Sequence, residues 1–274
     1  MNPDRLRKRA AITRAIRNWF EDNGYLEVHT PALVVSPAME EHLEPVAVGD
    51  RFLHTSPEFG MKKVLSAGLC RIYQITPCFR AEEAGVHHTE EFTMIEWYRV
   101  GAGTAELMDD TEAVIAAAAK AVGTHLPAFE RISVDDLRSK ANIPQTEDET
   151  EWFQQWVDRV EPTLRSPTIV FNYPTWQSAL ATERNGYADR FEVYLGGIEI
   201  GNCFAEEINP SILRKRFQSS ATKRQTMGKP PHPIDEELLD STPKMPRTSG
   251  IAIGLDRLVM ALTGAKHIRD VQAR

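Results

Sequence analysis

Apolar positions along the chain recur with two periods, near 3.6 and near 2 residues, and the switches between them mark out the elements. Residues 4–23 carry Leu6, Ile12, Ile16, Trp19 and Phe20 near helical spacing, which predicts an amphipathic helix. Its polar side holds Arg5, Arg7, Lys8, Arg9, Arg14 and Arg17, read first as a solvated face and second as a docking surface for an acidic partner. Gly24 ends the helix as a C-terminal cap, and Tyr25-Leu-Glu-Val-His-Thr alternates as a strand up to Pro31. Ser56-Pro57-Glu58 combines a cap, a proline at the first helical position and an acid in the first turn, so a helix should run to about Ala67. Leu69–Phe79 and Glu91–Arg99 are strand-like around a polar loop at 81–90, predicting a long antiparallel hairpin.

Residues 104–165 read as a mostly helical insertion, with helices at Thr104–Val122 and Glu149–Val160. Glu147, Asp148, Glu149 and Glu151 place negative charge where the dipole of the second helix favours it. A strand follows at Thr168–Phe171, then a hairpin at Arg190–Phe204 turning on Gly196-Gly197, then a helix over 210–228 rich in Arg and Lys. Ile251–Leu262 closes as strand then helix. Strands outnumber crossover helices, so the expected class is α+β, a mainly antiparallel sheet flanked by helices.

Composition narrows the function classes. The chain has 274 residues, enough for one large domain or two small ones, and 32 Lys+Arg against 39 Asp+Glu give a formal charge of −7. That balance argues against wrapping nucleic acid, though a local basic patch stays open. Cys70, Cys78 and Cys203 form no C-x-x-C pair, which argues against a disulfide framework or structural zinc. The start, Met1-Asn-Pro-Asp-Arg, has no apolar h-region, and the apolar stretch Ala113–Ala119 is too short to span a bilayer. A soluble, cytoplasmic protein without a membrane partner is expected.

Three segments carry candidate chemistry. A Gly-Gly turn pairs Tyr194 with Glu199 and Glu192 with Gly201, leaving Glu192 and Glu199 on one face about 7–8 Å apart. Two carboxylates at that distance suit one hard cation such as Mg²⁺; the alternative is a pair of exposed glutamates on an edge hairpin. In the second segment, Phe92, Met94, Glu96 and Tyr98 alternate on one face. A buried Glu96 needs a cation, either a ligand ammonium or an internal partner, Arg71 or Arg99. Third, Gly254-x-Asp256-Arg257 joins an apolar strand to a helix and sets Arg257 near the helix N-terminus, a favourable location for phosphate.

Together and in order, these segments resemble the class II aminoacyl-tRNA synthetases. Gly24-Tyr-Leu-Glu-Val-His-Thr-Pro31 is similar to motif 1, the dimer-forming helix and strand; Phe79-Arg80-x-Glu82 with Glu91-Phe92 to motif 2; Gly254-x-Asp-Arg257 to motif 3. Thr55-Ser-Pro-Glu58, Glu91-Phe92-Thr-Met and Arg190-Phe-Glu-x-x-x-Gly-Gly-x-Glu-x-x-Asn202 narrow the likeness to the lysyl branch. Motif 1 begins almost at Met1, leaving no room for an anticodon-binding barrel, so a single catalytic domain over 1–274 is expected. Glu96-Trp-Tyr-Arg and Gln218 through His232-Pro-Ile-Asp235 resemble the freestanding lysyl-synthetase-like ligases that attach a lysine-type residue to a lysine of elongation factor P.

The resemblance implies the roles. Arg80 would hold the α-phosphate of ATP and the amino-acid carboxylate, and Arg257 the polyphosphate, making these two the catalytic pair. Phe92 would stack on adenine, Glu82 and His88 would bind the nucleotide, and Glu192 and Glu199 would carry Mg²⁺. Glu58 would meet the amino group of lysine or β-lysine and Asn202 its carboxylate end; Glu96, Tyr98 and Glu206 would surround the side-chain ammonium against Phe204. Strict alternation puts Asn202, Phe204 and Glu206 on the face opposite Glu199, so a bulge or strong twist near Gly201 is required.

Two departures stand out. Thr89-Glu90 replaces the Asn-Pro common in motif 2 of relatives. Gly201 stands where the ligases tend to carry Ala, and the missing methyl is expected to reshape the pocket beside the substrate's α-carbon. The rival readings are a compact synthetase acting on tRNA, which the basic helices keep open, and a non-catalytic paralog with a binding role, which the presence of Arg80, Glu192, Glu199 and Arg257 disfavours.

Overall fold

A computed structural model describes residues 2–273 except Ala38, Gln145 and Glu147. Of the acidic run expected before the second insertion helix, Glu147 therefore lies outside the described residues. The chain opens with α1 (Pro3–Asp22), capped by the Asn2 side chain, and Gly24 follows at φ +74°. After β1 (Leu26–Glu27), the segments β2 (Leu33–Val34), β3 (Ala47–Val48) and β4 (Arg51–Leu53) make a small separate sheet. Then come α2 (Glu58–Ser66), β5 (Arg71–Phe79), β6 (Glu91–Val100) and α3 (Thr104–Ala121). The chain continues through β7 (Glu130–Ser133), α4 (Val134–Lys140), α5 (Glu149–Gln155), one π-helical turn at Trp156–Val160 and β8 (Thr168–Pro174). Next are β9 (Glu183–Arg184), β10 (Tyr187–Leu195), β11 (Ile198–Ala205), α6 (Pro210–Thr226) and α7 (Glu236–Ser241), and last β12 (Thr248–Gly254) and α8 (Leu255–Thr263).

Among the described residues the main sheet runs β1-β5-β6-β12-β11-β10-β8-β7, with β9 paired to β10. Every pair is antiparallel except β1 with β5 and β7 with β8. The fold is α+β, as expected. One face of the sheet carries Tyr73, Ile95, Trp97, Phe191, Val193, Ile251 and Ile253 into a core shared with α1, α3 and α8. Phe20 seats α1 there, stacked 4.4 Å from Tyr73 and edge-on 5.3 Å from Trp97. Because strand side chains alternate, the residues between them, among them Glu96, Tyr98, Glu192 and Asn202, face the other way.

Three expectations are corrected. The strand after Gly24 is two residues long: Thr30 turns out of the ladder to bond Gln74 Oε1 through its N–H (3.0 Å) and hydroxyl (3.1 Å). The segment 104–165 is mostly helical but is built into the fold rather than inserted beside it, because β7 lengthens the sheet beside β8 and α3 sends Leu107, Val114, Ile115 and Ala118 into the main core. Four-residue β7 has one buried apolar side chain, Ile132, too little for a legible period. In the 190–204 hairpin, Tyr194 does face Glu199, but Glu192 faces Asn202 and Val193 faces Gly201. The slip is the required bulge: one extra residue on β11 turns Asn202 to the face of Glu199. No helix among the described residues is long and apolar enough to cross a membrane.

Candidate active site

A cleft of about 540 Å³ opens on the polar face of the sheet, and its walls include Arg80, His88, Phe92, Glu199, Asn202 and Arg257. Arg80 leaves the end of β5, where its backbone N–H bonds Glu90 O at 2.9 Å. Its guanidinium lies 5.1 Å from the Phe92 ring centroid and 3.7 Å from Glu83. Arg257 sits in the first turn of α8, donating to Glu199 O (2.8 Å) and His87 O (3.2 Å), with Nη2 2.5 Å from His88 Nε2. A guanidinium only donates, so His88 Nε2 is the acceptor; burial and the Arg257 charge hold that imidazole below its ordinary pKa, in its neutral form. Buried Asp256 accepts from Thr93 N at 2.6 Å and pairs with Arg9, which also donates to Thr93 Oγ1 at 2.8 Å. This knot ties α1 and β6 to the turn that presents Arg257.

The two candidate metal carboxylates are unequal. Glu192 Oε2 accepts from the hydroxyls of Tyr173 and Tyr194, both at 2.7 Å, and its Oε1 from Arg190 Nη2 at 2.5 Å. Glu199, at the lip of the cleft, has Arg257 Nη1 at 3.7 Å as its ion-pair partner. Burial and the nearby Glu192 charge raise its pKa to about 7. A carboxylate short of cations beside a second one that is fully oriented fits a hard, oxygen-seeking ion.

Deeper in, Glu58, Glu96 and Glu206 converge. Glu96 is 2% exposed; its Oε1 accepts from Tyr98 Oη at 2.6 Å and its Oε2 from Ser56 Oγ at 3.1 Å. Neither internal partner offered by sequence serves it, since Arg99 binds Asp110 (3.0 Å) and Arg71 binds Asn23 O (2.9 Å). Burial foremost, then the Glu58 charge, lifts Glu96 to about 8, and burial lifts Glu206 to about 8. Lys62 supplies a cation there, 2.7 Å from Glu58 and 2.5 Å from Glu206. Asn202 Oδ1 is buried without a partner, and the Phe204 ring lies 5.3 Å from the Arg190 guanidinium. Gly250 permits the packing of Tyr98, because a Cβ there would fall 2.2 Å from the ring.

Two site expectations change. Glu82 is exposed at φ +65°, its backbone bonded to Glu90, and Glu83 takes the place beside Arg80 on the cleft wall. A methyl at Gly201 would not enter the pocket: its Cβ would lie 2.7 Å from Ala252 O and from Ile253 Cγ1, against β12. Sequence reasoning gave no role to Lys62, Tyr173 or Tyr194, and used Arg190 only as a motif residue. Lys62 had a signal, since it stands four residues after Glu58, the helical ion-pair spacing. The tyrosines had none, because their role depends on which strand lies beside β10.

The basic helices are largely neutralised. On α1, Arg5, Lys8, Arg9 and Arg17 pair with Asp270, Asp4, Asp256 and Glu27. On α6, Arg214, Arg216, Lys223 and Arg224 pair with Glu236, Glu183, Glu41 and Glu44.

An antiparallel sheet with one arginine where its long hairpin leaves β5 and another in the first turn of a helix, both lining one cleft, is the arrangement expected of a class II synthetase. The sequence matches the family described as tRNA synthetases class II (D, K and N) over residues 2–273, and the chain belongs to that family. Within it, the chain is similar to proteins named elongation factor P–(R)-β-lysine ligase. It is 38% identical to that of Erwinia tasmaniensis and 36% identical to that of Yersinia enterocolitica, each over 98% of this chain and 94% of the relative. The protein of that name from Salmonella dublin is 36% identical over the same shares.

Proposed function

We propose that the protein is an ATP-dependent, AMP-forming ligase that activates a lysine-type amino acid, (R)-β-lysine before α-lysine, and transfers it to a lysine side chain of elongation factor P. The observation that carries this is the buried cluster of Glu58, Glu96 and Glu206, whose member Glu58 lines a small cavity together with Arg80, a residue that also walls the Phe92–Arg257 cleft. The names of the relatives support the acceptor and the β-isomer.

ATP lies with adenine on Phe92, its α-phosphate at Arg80 and its outer phosphates at Arg257, which exchanges its His88 contact for phosphate. Glu192, oriented by Tyr173, Tyr194 and Arg190, and Glu199 would hold Mg²⁺, which would neutralise phosphate charge when bound. Glu58 meets the amino group, Asn202 the carboxylate end, and Glu96, Tyr98 and Glu206 the distal ammonium. A carboxylate oxygen of the amino acid attacks the α-phosphorus, the bond to the bridging oxygen breaks and pyrophosphate leaves. The acceptor ε-amine, having lost a proton, then attacks the carbonyl carbon, and AMP leaves as the amide forms. The work is orientation and charge neutralisation, with no protein nucleophile. The catalytic domain spans 1–274 and works in the cytoplasm as a homodimer built on α1 and the segment after it, where Leu26, Leu33 and Val35 are exposed.

The test is the intact mass of elongation factor P after incubation with the protein, ATP and either α- or (R)-β-lysine, with tRNA as a parallel acceptor. Gain of one lysyl residue on elongation factor P is expected, faster with the β-isomer. Stable label on tRNA alone would overturn the reading.

A further inference from the structure

Lys62 is a lysine within the pocket that is itself meant to receive an ammonium. It projects from α2 one turn beyond Glu58, is 2% exposed, and bridges Glu58 on its own helix to Glu206 beyond β11. The third carboxylate, Glu96 on β6, is held by two neutral hydroxyls instead. We propose that Lys62 is a positioning residue that sets the charge of the amino-acid pocket, so that three carboxylates are matched by one internal ammonium and the two ammonium groups of a diamino acid. This rests on the ligase reading above and names the device by which that site selects its donor.

The charge count carries it. With Glu58, Glu96 and Glu206 ionised and Lys62 protonated, these four groups together carry two negative charges. Lysine and β-lysine each bring two ammonium groups there, while their carboxylate is neutralised by Arg80. Without Lys62, three buried carboxylates would face two cations, and an unpaired buried charge is costly. Geometry matters equally: both partners of Lys62 Nζ lie within 2.7 Å, so this one group fixes where the Glu58 and Glu206 oxygens stand. Other groups facing the cluster are Tyr98, which donates to Glu96, and Glu40, which feels both the Glu58 and the Lys62 charge. Burial works against the Lys62 ammonium, but Glu206 and Glu58 outweigh it and keep it charged.

The experiment is ATP–pyrophosphate exchange driven by α- or β-lysine, followed against pH for the unsubstituted protein, Lys62→Gln and Lys62→Arg, with KM for ATP measured alongside. Lys62→Gln should raise the amino-acid KM roughly 10-fold or more and leave the ATP KM unchanged. It should also move the acid limb of the amino-acid profile to higher pH, because Glu206, without the Lys62 charge beside it, holds its proton to higher pH. Lys62→Arg should keep the limb in place. A Lys62→Gln protein with the original KM and pH profile would overturn the role, as would equal losses in both KM values. Should Lys62→Gln fail to fold, Glu206→Gln serves: with a carboxylate removed, the limb should move to lower pH, and a shift upward would overturn the proposal. No exchange with either lysine in the unsubstituted protein would overturn the ligase reading and this role with it.

Discussion

At the residue scale the site is a division of labour between fixed and free charges. Glu192 is locked by two tyrosines and an arginine, whereas Glu199 meets a lone guanidinium at 3.7 Å. Arg257 is itself anchored by two carbonyls through Nε and Nη1, which leaves Nη2, on neutral His88, as the nitrogen that phosphate can claim. Arg257→Ala should therefore cut exchange activity by about 10²–10³, the scale of losing one preorganised donor. Stabilisation by the amino acid alone should survive, since Lys62, Glu58, Glu96 and Glu206 are untouched; thermal melting with lysine and without ATP checks it. That Arg80, Phe92 and Arg257 share one cleft was legible because short motifs carry them. Glu82, by contrast, stands off the cleft wall at φ +65° and Glu83 lines it, a placement no local pattern in the sequence foretells.

Elements decide whether those residues meet. Alternation along β10 and β11 was readable, and it forced a bulge near Gly201 if Glu199 and Asn202 were to share a pocket; the extra residue is there. Strand order, with β12 between β6 and β11, was not readable, because nothing local in a strand names its neighbour. Nor was β7, with its single buried apolar residue, or the reach of α1 across to α8. That reach can be tested. Arg9→Met removes the cation from Asp256, whose side chain is 1% exposed, and leaves its carboxylate with the Thr93 N–H. Breaking a buried pair in this way should cost about 3–5 kcal/mol, read as a lower urea midpoint with unchanged slope. Arg9→Lys should recover only part of it, because one ammonium cannot reach both Asp256 and Thr93 as the guanidinium fork does.

For the whole molecule, the net charge of −7 gains meaning from its distribution. Most of the cations on α1 and α6 are paired with carboxylates of the same chain, while Glu96 and Glu206, raised well above the ordinary carboxylate range, are buried together. A consequence follows for stability against pH. Glu96 and Glu206 are raised to about 8 in the folded protein from an ordinary 4.5, so the fold binds their protons more tightly than the unfolded chain does. Their contribution is therefore fully present below about pH 4.5 and is lost as pH rises towards 8. The Lys62 pair does not offset this, because Lys62 keeps its proton throughout that window. The free protein should melt progressively lower between pH 6 and 8.5, by roughly 2–4 °C for each kcal/mol lost. Lysine or β-lysine should flatten that slope, since their ammonium groups stabilise the ionised carboxylates, and binding at pH 7 should release protons. Calorimetric titration in two buffers of different ionisation enthalpy measures that release. A melting temperature that rises over the same range, or binding with no buffer dependence, would mean that Glu96 and Glu206 are already ionised in the free protein.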